Sequence, residues 1–251
     1  MTTLKKEIDI NCDLGESFGL YKFGSDPDIM PIISSANVAC GFHAGDPQTI
    51  RETVALASSN GVRIGAHIGF PDRLGFGRRE MKVSSEEILD YIIYQLGALD
   101  GFLKIYGVKM SHLKLHGALY MMAANQKEIS DATIKAIKSY DSELEIYTLP
   151  NSELSKSAQL NNLKVIHEFF ADRPYYNQKV KMFGWTMEEI GSSVDIAHRV
   201  LNELNYNSIN EGKEQEIHSI CVHSDTQNAP AIIHAVRKTL EENDFIIKAL
   251  R

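Results

Sequence analysis

Short apolar, β-branched runs alternate along the chain with longer segments in which apolar residues recur every three or four positions. The short runs lie at Glu7–Cys12, Ala36–Cys40, Val62–His67, His112–His116, Leu144–Tyr147, Leu163–Glu168 and Ile217–Val222. Strands separated by amphipathic helices are typical of repeated βα units around a parallel sheet. The pattern therefore predicts an α/β fold, specifically a TIM-like (β/α) barrel with about seven parallel strands.

The predicted helices carry start signals at their first residues. Asp46 before a proline is a favourable N-cap, and Ser84 with Glu87 forms a capping box ahead of a long apolar stripe. Pro230 opens a last helix, which we expect to close the chain. Because no Pro- or Ser-rich linker interrupts these units, we expect one barrel domain over residues 1–251.

Composition narrows the class of protein. The chain has 251 residues, 43% of them hydrophobic, and a formal charge of −7. Without a basic excess we expect no nucleic-acid binding. No apolar segment follows the first residues and no run approaches about 18 apolar residues, so we expect no membrane span and a cytoplasmic location. The three cysteines form no Cys-x-x-Cys pair and are expected to be small buried residues.

Polar residues stand at the ends of the first and last predicted strands. In a parallel barrel the loops at the carboxyl ends of the strands gather into one site. The two-residue period places Asn11 and Asp13 on one face of the first strand, and His223 and Asp225 share a face at the last strand. Asp13 could instead only cap the following loop.

The second and third strands each end in a histidine between small residues. His43 lies between two glycines, which favours a tight loop that presents the imidazole to a ligand. His67 leaves the third strand and is followed by Arg78 and Arg79 in a glycine-rich segment. These arginines could bind an anionic group, or they could lie in a solvated surface turn.

The fourth strand carries the strongest pair of candidates. Alternation puts Lys114 and His116 on one face, and burying a lysine is costly unless its charge is needed. His112 lies at the entry end of that strand, and this position favours a structural role for it. Glu168 and Asp172 near the sixth strand are candidate bases or positioning carboxylates, although Asp172 could simply pair with the neighbouring arginine.

Together these strand ends favour acid–base hydrolytic chemistry. The chain lacks the Walker phosphate loop, the Gly-x-Gly-x-x-Gly fingerprint, the His-Glu-x-x-His zinc signature and the Gly-x-Ser-x-Gly elbow. A metal would have to be assembled from residues distant in sequence, for which Asp13, His43 and His67 are candidates.

Several longer motifs resemble one known family. They are Asn-Cys-Asp-Leu-Gly-Glu (11–16), Ala-Cys-Gly-Phe-His-Ala-Gly-Asp-Pro (39–47), Gly-Phe-Gly-Arg-Arg (75–79), His-Gly-Ala-Leu-Tyr (116–120), Phe-Ala-Asp-Arg (170–173) and Cys-Val-His-Ser-Asp-Thr (221–226). In this order they resemble the LamB/YcsF family. That resemblance implies a barrel like that of the glycoside hydrolase/deacetylase superfamily. It also implies one component of an ATP-dependent 5-oxoprolinase, which opens 5-oxoproline to L-glutamate with two partner subunits, of the B and C types, and uses ATP with Mg²⁺.

Within that implied reaction we assign roles to the polar residues at the strand ends. Asp13 and His43 would position water or a metal, His67 and His116 would transfer protons, and Lys114 with Arg78 or Arg79 would stabilise negative charge. The other residues expected to bind substrate or phosphate are Asn11, Glu168, Asp172, His223 and Asp225.

Three points stay open on the sequence. The chain could instead be a metal-dependent deacetylase of a sugar or small N-acetyl compound, or a non-catalytic subunit that carries substrate. The segment Asn177–Ile190 departs from the family pattern, which bears on its substrate and partner contacts. Assembly into a homo-oligomer is compatible with the sequence.

Overall fold

Strands and helices alternate through the computed structural model, which describes residues 6–177, 179–209 and 216–249. The strands are β1 (Lys6–Leu14), β2 (Ser35–Ala39), β3 (Arg63–Ile68), β4 (His112–Leu115), β5 (Glu145–Thr148), β6 (Val165–Phe170), β7 (Tyr175–Tyr176), β8 (Lys179–Val180), β9 (Ser219–His223) and β10 (Phe245–Ile247). The helices are α1 (Asp26–Ile29), α2 (Pro47–Asn60), α3 (Ser85–Ile105), α4 (Gly117–Asn125), α5 (Lys127–Tyr140), α6 (Glu153–Leu160), α7 (Met187–Ile190), α8 (Ser193–Ile209) and α9 (Ala229–Glu242).

Seven parallel strands close into a barrel in the order β1-β2-β3-β4-β5-β6-β9. The barrel closes where β9 pairs with β1, with Asp9 opposite Ser219 and Asp13 opposite His223. This confirms the predicted barrel of parallel strands. The short strands β7 and β8 form a separate antiparallel pair after the sixth barrel strand.

Alternation along β1 separates an apolar outer face from a polar inner face. Its outer residues Ile8, Ile10, Cys12 and Leu14 join the buried apolar layer under the helices. Its inner residues Asp9, Asn11 and Asp13 are buried inside the barrel and bond to side chains of other strands. Because a buried polar group is costly unless it is hydrogen-bonded, this interior depends on partners supplied from across the barrel.

The predicted helix starts are confirmed, but the predicted end of the chain is wrong. The Asp46 side chain accepts a bond from the backbone N–H of Thr49, and Ser84 and Glu87 form the expected capping box. α9 does not close the chain, because β10 follows it and pairs with the first residues of β1. A three-residue strand is too short to produce a readable period. Within the described ranges, none of the helices combines the length and apolar character of a membrane span.

Candidate active site

The carboxyl ends of the barrel strands surround a cavity of about 340 Å³, including the open space at its mouth. The residues that line it are Asp13, Glu16, His67, Phe76, Arg78, Lys114, Leu115, His116, Gly117, Tyr120, Phe170, Met182, His223 and Asp225. Seven of these are residues that the sequence predicts for the site: Asp13, His67, Arg78, Lys114, His116, His223 and Asp225. Strand ends that are distant in sequence thus converge at one mouth, as parallel barrels require.

Three histidines from consecutive strand ends cluster at one side of this mouth. The rings of His43 and His116 stack with centroids 3.8 Å apart, and Nδ1 of His116 lies 2.9 Å from Nε2 of His67. Oε1 of Glu16 lies 3.7 Å from Nε2 of His43, 3.9 Å from Nε2 of His67 and 3.8 Å from Nδ1 of His116. Gly77 permits this packing, because a Cβ there would lie 2.8 Å from Cβ of His43.

Several polar atoms of this cluster have no hydrogen-bond partner within the described residues. They are Oε1 of Glu16, both ring nitrogens of His43 and Nδ1 of His67, and all are buried. Such atoms are rare in protein interiors unless a water, ion or ligand satisfies them. The four residues Glu16, His43, His67 and His116 bring one ligand atom each to within 4.8 Å of one another.

The electrostatics of the cluster suit a divalent metal ion. Burial lowers the pKa of His43 and of His116, and neighbouring histidines lower both further, so both rings are neutral at pH 7. Neutral imidazole is the metal-binding form. Burial and the nearby Asp13 raise the pKa of Glu16, which leaves that carboxyl in need of a cation to ionise. Because a tetrahedral ion about 2 Å from its ligands spaces them about 3.3 Å apart, the residues present fit such an ion with small adjustments.

A lysine and two carboxylates form the floor of the mouth. Nζ of Lys114 lies 3.1 Å from Oδ1 of Asp13 and 3.1 Å from Oε2 of Glu168, and it donates to Sγ of Cys221 at 3.0 Å. Burial alone would lower the pKa of Lys114, but Asp13 and the other acidic neighbours raise it well above its usual value. Burial likewise opposes ionisation of Asp13, but His67 and Lys114 hold its pKa well below the usual range. Lys114 and Asp13 are therefore both charged.

His223 faces Asp13 from the last barrel strand and is held by Asp172. Nδ1 of His223 lies 2.9 Å from Oδ1 of Asp172, while its Nε2 lies 3.8 Å from Oδ2 of Asp13. The other oxygen of Asp172 accepts bonds from the backbone N–H of His223, from Arg173 and from Thr226. Burial would raise the pKa of Asp172, but Arg173 and His223 hold it well below the usual range. A permanently charged Asp172 thus fixes one ring nitrogen of His223 and leaves the other directed at the mouth.

Five of the residues predicted for the site lie away from the cavity surface. Asn11 and Glu168 lie deeper in the barrel, where Asn11 donates to Glu168 at 3.2 Å. Asp172 lies behind His223, as described above. Arg79 forms a forked ion pair with Asp72 in its own loop. His43 lies behind the ring of His116, on which it stacks.

Glu16 and Tyr120 are the contributors that strand alternation did not predict. Both belong to motifs noted in the sequence, but Glu16 follows β1 in a loop and Tyr120 lies in α4, so neither shares the two-residue period. The hydroxyl of Tyr120 donates to Glu168 at 3.1 Å. The signal that could have found Glu16 is its place three residues after Asp13, within the first motif.

Comparisons with known proteins identify the family to which the chain is similar. The family model described as LamB/YcsF family matches residues 8–251. A Bacillus cereus (strain Q1) protein, named as the A subunit of 5-oxoprolinase, is 46% identical over 247 residues, which cover 96% of this chain and 97% of that protein. The crystal structure of a lactam utilization protein from Thermus thermophilus is 38% identical, with a TM-score of 0.86 over 97% of this chain and 100% of that one.

A more distant structural likeness concerns the fold alone. A putative polysaccharide deacetylase from Mycobacterium smegmatis superimposes with a TM-score of 0.60 over 99% of this chain and 89% of that one, at 13% identity. The barrel is therefore also the scaffold of deacetylase-like proteins, as the motifs led us to expect.

Proposed function

Because the chain belongs to the LamB/YcsF family, we propose that it is the A-type subunit of a cytoplasmic 5-oxoprolinase. In this proposal the chain works with two other subunits to hydrolyse 5-oxo-L-proline to L-glutamate, and the assembly consumes ATP with Mg²⁺. The observation that carries the proposal is the 46% identity, over nearly the full length of both chains, to proteins named as the A subunit of 5-oxoprolinase. The convergence of acid–base residues at one mouth supports it.

The requirement for ATP follows from the chemistry of the substrate. A five-membered lactam is unstrained and its amide is a poor electrophile, so water alone opens it slowly. Transfer of the γ-phosphoryl group to the lactam oxygen makes the ring carbon electrophilic. One water then adds as the C–N bond breaks, and a second releases phosphate from the acyl phosphate, leaving L-glutamate, ADP and phosphate.

We assign the proton transfers of ring opening to His223 and Asp13, in place of the His67 and His116 expected on sequence. With Nδ1 fixed by Asp172, the Nε2 atom of His223 can take a proton from the attacking water and return it to the leaving nitrogen. Asp13 lies opposite this nitrogen and stays ionised beside Lys114. Lys114 acts in this scheme through Asp13, because both carboxylates on its ammonium group already neutralise it.

Glu16, His43, His67 and His116 would hold a divalent metal ion. When bound, such an ion polarises a carbonyl oxygen or activates water. Without it, Glu16, His67 and His116 still line the mouth with ring nitrogens and one protonatable carboxyl, which can accept or donate hydrogen bonds at the lactam. This set keeps His43 and His67 from the ligands expected on sequence and adds Glu16 and His116, while Asp13 pairs with Lys114.

The test is ATP-dependent glutamate release by the chain reconstituted with its two partner subunits. We expect Asp13→Asn, which removes an acid–base group, and His116→Ala, which removes a side chain proposed to hold the metal, each to lower kcat at least about a hundredfold. His234→Ala, which changes an exposed histidine of α9, is the matched control and should keep wild-type activity. Intact ATP-dependent cleavage in both site variants would refute the assignment of the site.

A metal-dependent deacetylase is the second candidate, because the same unpartnered Glu and His atoms would hold its metal ion. Both candidates include that metal, so the released product and the need for ATP distinguish them. It predicts one tightly bound transition metal per chain and release of acetate from an N-acetyl substrate without ATP or partner subunits. A third outcome, turnover unaffected by the site variants although the chain binds 5-oxoproline, would identify a subunit that only carries substrate.

A further inference from the structure

One ion pair spans the mouth of the barrel. Arg78, in the loop after β3, pairs with Oδ2 of Asp225, in the loop after β9. Both residues line the cavity, whose enclosed part has room for about one water molecule. A carboxylated lactam ring is larger than this space, so its binding requires side chains that line the mouth to move, and this ion pair is among them.

Arg78 is held in a way that lets it exchange partners. Its guanidinium group lies 5.1 Å from the ring of Phe76 and 5.8 Å from that of Phe183, and its side chain is 38% exposed. These aromatic contacts keep the guanidinium group over the mouth independently of Asp225. Phe183 belongs to the segment 177–190 that departs from the family pattern. One of the two aromatic contacts that hold Arg78 therefore comes from this divergent segment.

Asp225 keeps a second cation when Arg78 leaves it. Its Oδ1 atom accepts a bond from Arg173 at 3.0 Å. Arg173 is almost fully buried and is fixed by Asp172 and Thr226. Separation of Arg78 from Asp225 therefore leaves no unpaired charge on the protein if an incoming anion takes the place of Asp225 on Arg78.

We propose that Arg78 is the residue that recognises the carboxylate of the substrate, and that this carboxylate displaces Asp225. The inference rests on the proposed function, which supplies a lactam with a carboxylate on the ring carbon next to its nitrogen. Exchange of one carboxylate for another preserves the charge balance, and a guanidinium group binds a carboxylate through two parallel hydrogen bonds. The same step moves Arg78 away from Asp225 at the mouth.

A phosphate group would satisfy the same guanidinium, so the experiment must separate the two anions. In the reconstituted assembly we compare the KM for the substrate, 5-oxoproline, with the inhibition constant of 2-pyrrolidinone, the same ring without its carboxylate. In Arg78→Met, we expect the substrate KM to rise about 10- to 100-fold, the range of a lost charged hydrogen bond. We expect kcat to stay within about threefold and the 2-pyrrolidinone constant within about twofold. Arg51→Met on the exposed face of α2 is the matched control.

Two further variants make the result decisive. Arg78→Lys should recover part of the lost affinity, because a lysine keeps the charge but not the fork. Asp225→Asn should lower the substrate KM, because it removes the competing carboxylate. The proposal is overturned if Arg78→Met leaves the KM for 5-oxoproline unchanged, or if it weakens the binding of 5-oxoproline and of 2-pyrrolidinone in parallel. It is also overturned if Arg78→Met lowers kcat alone, as loss of a phosphate contact would cause, or if Asp225→Asn raises KM. Absence of glutamate release by the wild-type assembly would instead refute the proposed function.

Discussion

Two histidines on neighbouring strands show how the lower interior of the barrel differs from its mouth. His112 on β4 has Nε2 2.8 Å from Oδ1 of Asn37 and Nδ1 2.7 Å from the hydroxyl of Ser111, so both ring nitrogens are bonded. His67 on β3 has no partner for Nδ1 within the described part of the chain. Both are buried and face into the barrel. Burial and alternation therefore do not distinguish these two histidines, whereas completeness of hydrogen bonding does, and we propose that the incompletely bonded one is functional.

The same contrast extends to the carboxylates. Asp9, in the lower interior, accepts bonds from the hydroxyls of Ser34, Ser35, Tyr147 and Ser219 at 2.5 to 3.0 Å. Glu16, at the mouth, finds no partner for Oε1 among the described residues. The lower network is closed on itself and stabilises the barrel, while the upper group remains available to a ligand.

The largest expected effect follows from replacing the carboxylate that holds His223 at the mouth. Asp172→Asn should lower kcat for glutamate release about a thousandfold, because an amide can present its N–H to His223 and so fix the wrong tautomer. A histidine-selective NMR spectrum of the chain should show the proton of His223 moved from Nδ1 to Nε2. An unchanged tautomer together with full activity would show that the only role of Asp172 is its ion pair with Arg173.

The next effect concerns the lower network. Asp9→Ala should lower the free energy of unfolding by about 3 kcal/mol, because four buried hydroxyls lose their acceptor and a cavity forms. Urea denaturation measures this change. If kcat of the folded fraction fell as strongly as in Asp172→Asn, the division between a structural lower interior and a functional mouth would be incorrect.

A smaller effect tests how tightly the mouth is packed. Gly77 adopts φ of 63° and lies against Cβ of His43 and the ring of His116, so Gly77→Ala adds both backbone strain and a clash. We expect a loss of stability of about 1 to 2 kcal/mol and roughly tenfold lower kcat. Gly61→Ala at the C-cap of α2 also has positive φ, of 67°, but meets no atom within 4 Å. It should reproduce the strain without the loss of kcat.

The smallest expected effect is on the pH dependence of stability and comes from His167, on the outer face of the barrel. Burial lowers the pKa of His167 to about 4, and the nearby His218 contributes to this shift. Between pH 6.5 and 4 the unfolded chain binds a proton at this site and the folded chain does not, so stability falls as pH falls. We expect a contribution of about 1 kcal/mol after solvent screening. His167→Gln should flatten the pH dependence of the unfolding free energy by that amount, and an unchanged slope would contradict this.

Much of the barrel could be predicted because the information is local. Each barrel strand ends within two residues of its predicted position. The period of two along β1 places Asn11 and Asp13 on one face, and in the structure that face is the barrel interior. Asp46 and Ser84 cap helices by bonds that span three residues, which sequence spacing captures directly.

The rest depends on contacts that only closure of the barrel creates. Whether Arg78 or Arg79 reaches the mouth is decided by Asp225, 147 positions further along the chain, and by Asp72, which takes Arg79 away. Lys114 similarly acquires its charge partners from β1 and β6. Spacing along one strand carries no information about such pairs, and this is why the predicted set contains residues outside the cavity and omits Glu16 and Tyr120.

The contrast between His67 and His112 offers the most direct test of the division between a structural lower interior and a functional mouth. Glutamate release is measured for reconstituted assemblies with His67→Gln and His112→Gln, at a temperature where urea denaturation shows both chains folded. We predict that His67→Gln lowers kcat at least about a hundredfold and that His112→Gln, although less stable, keeps kcat within about threefold. Equal losses of kcat in the two variants, or a retained kcat in His67→Gln, would contradict it.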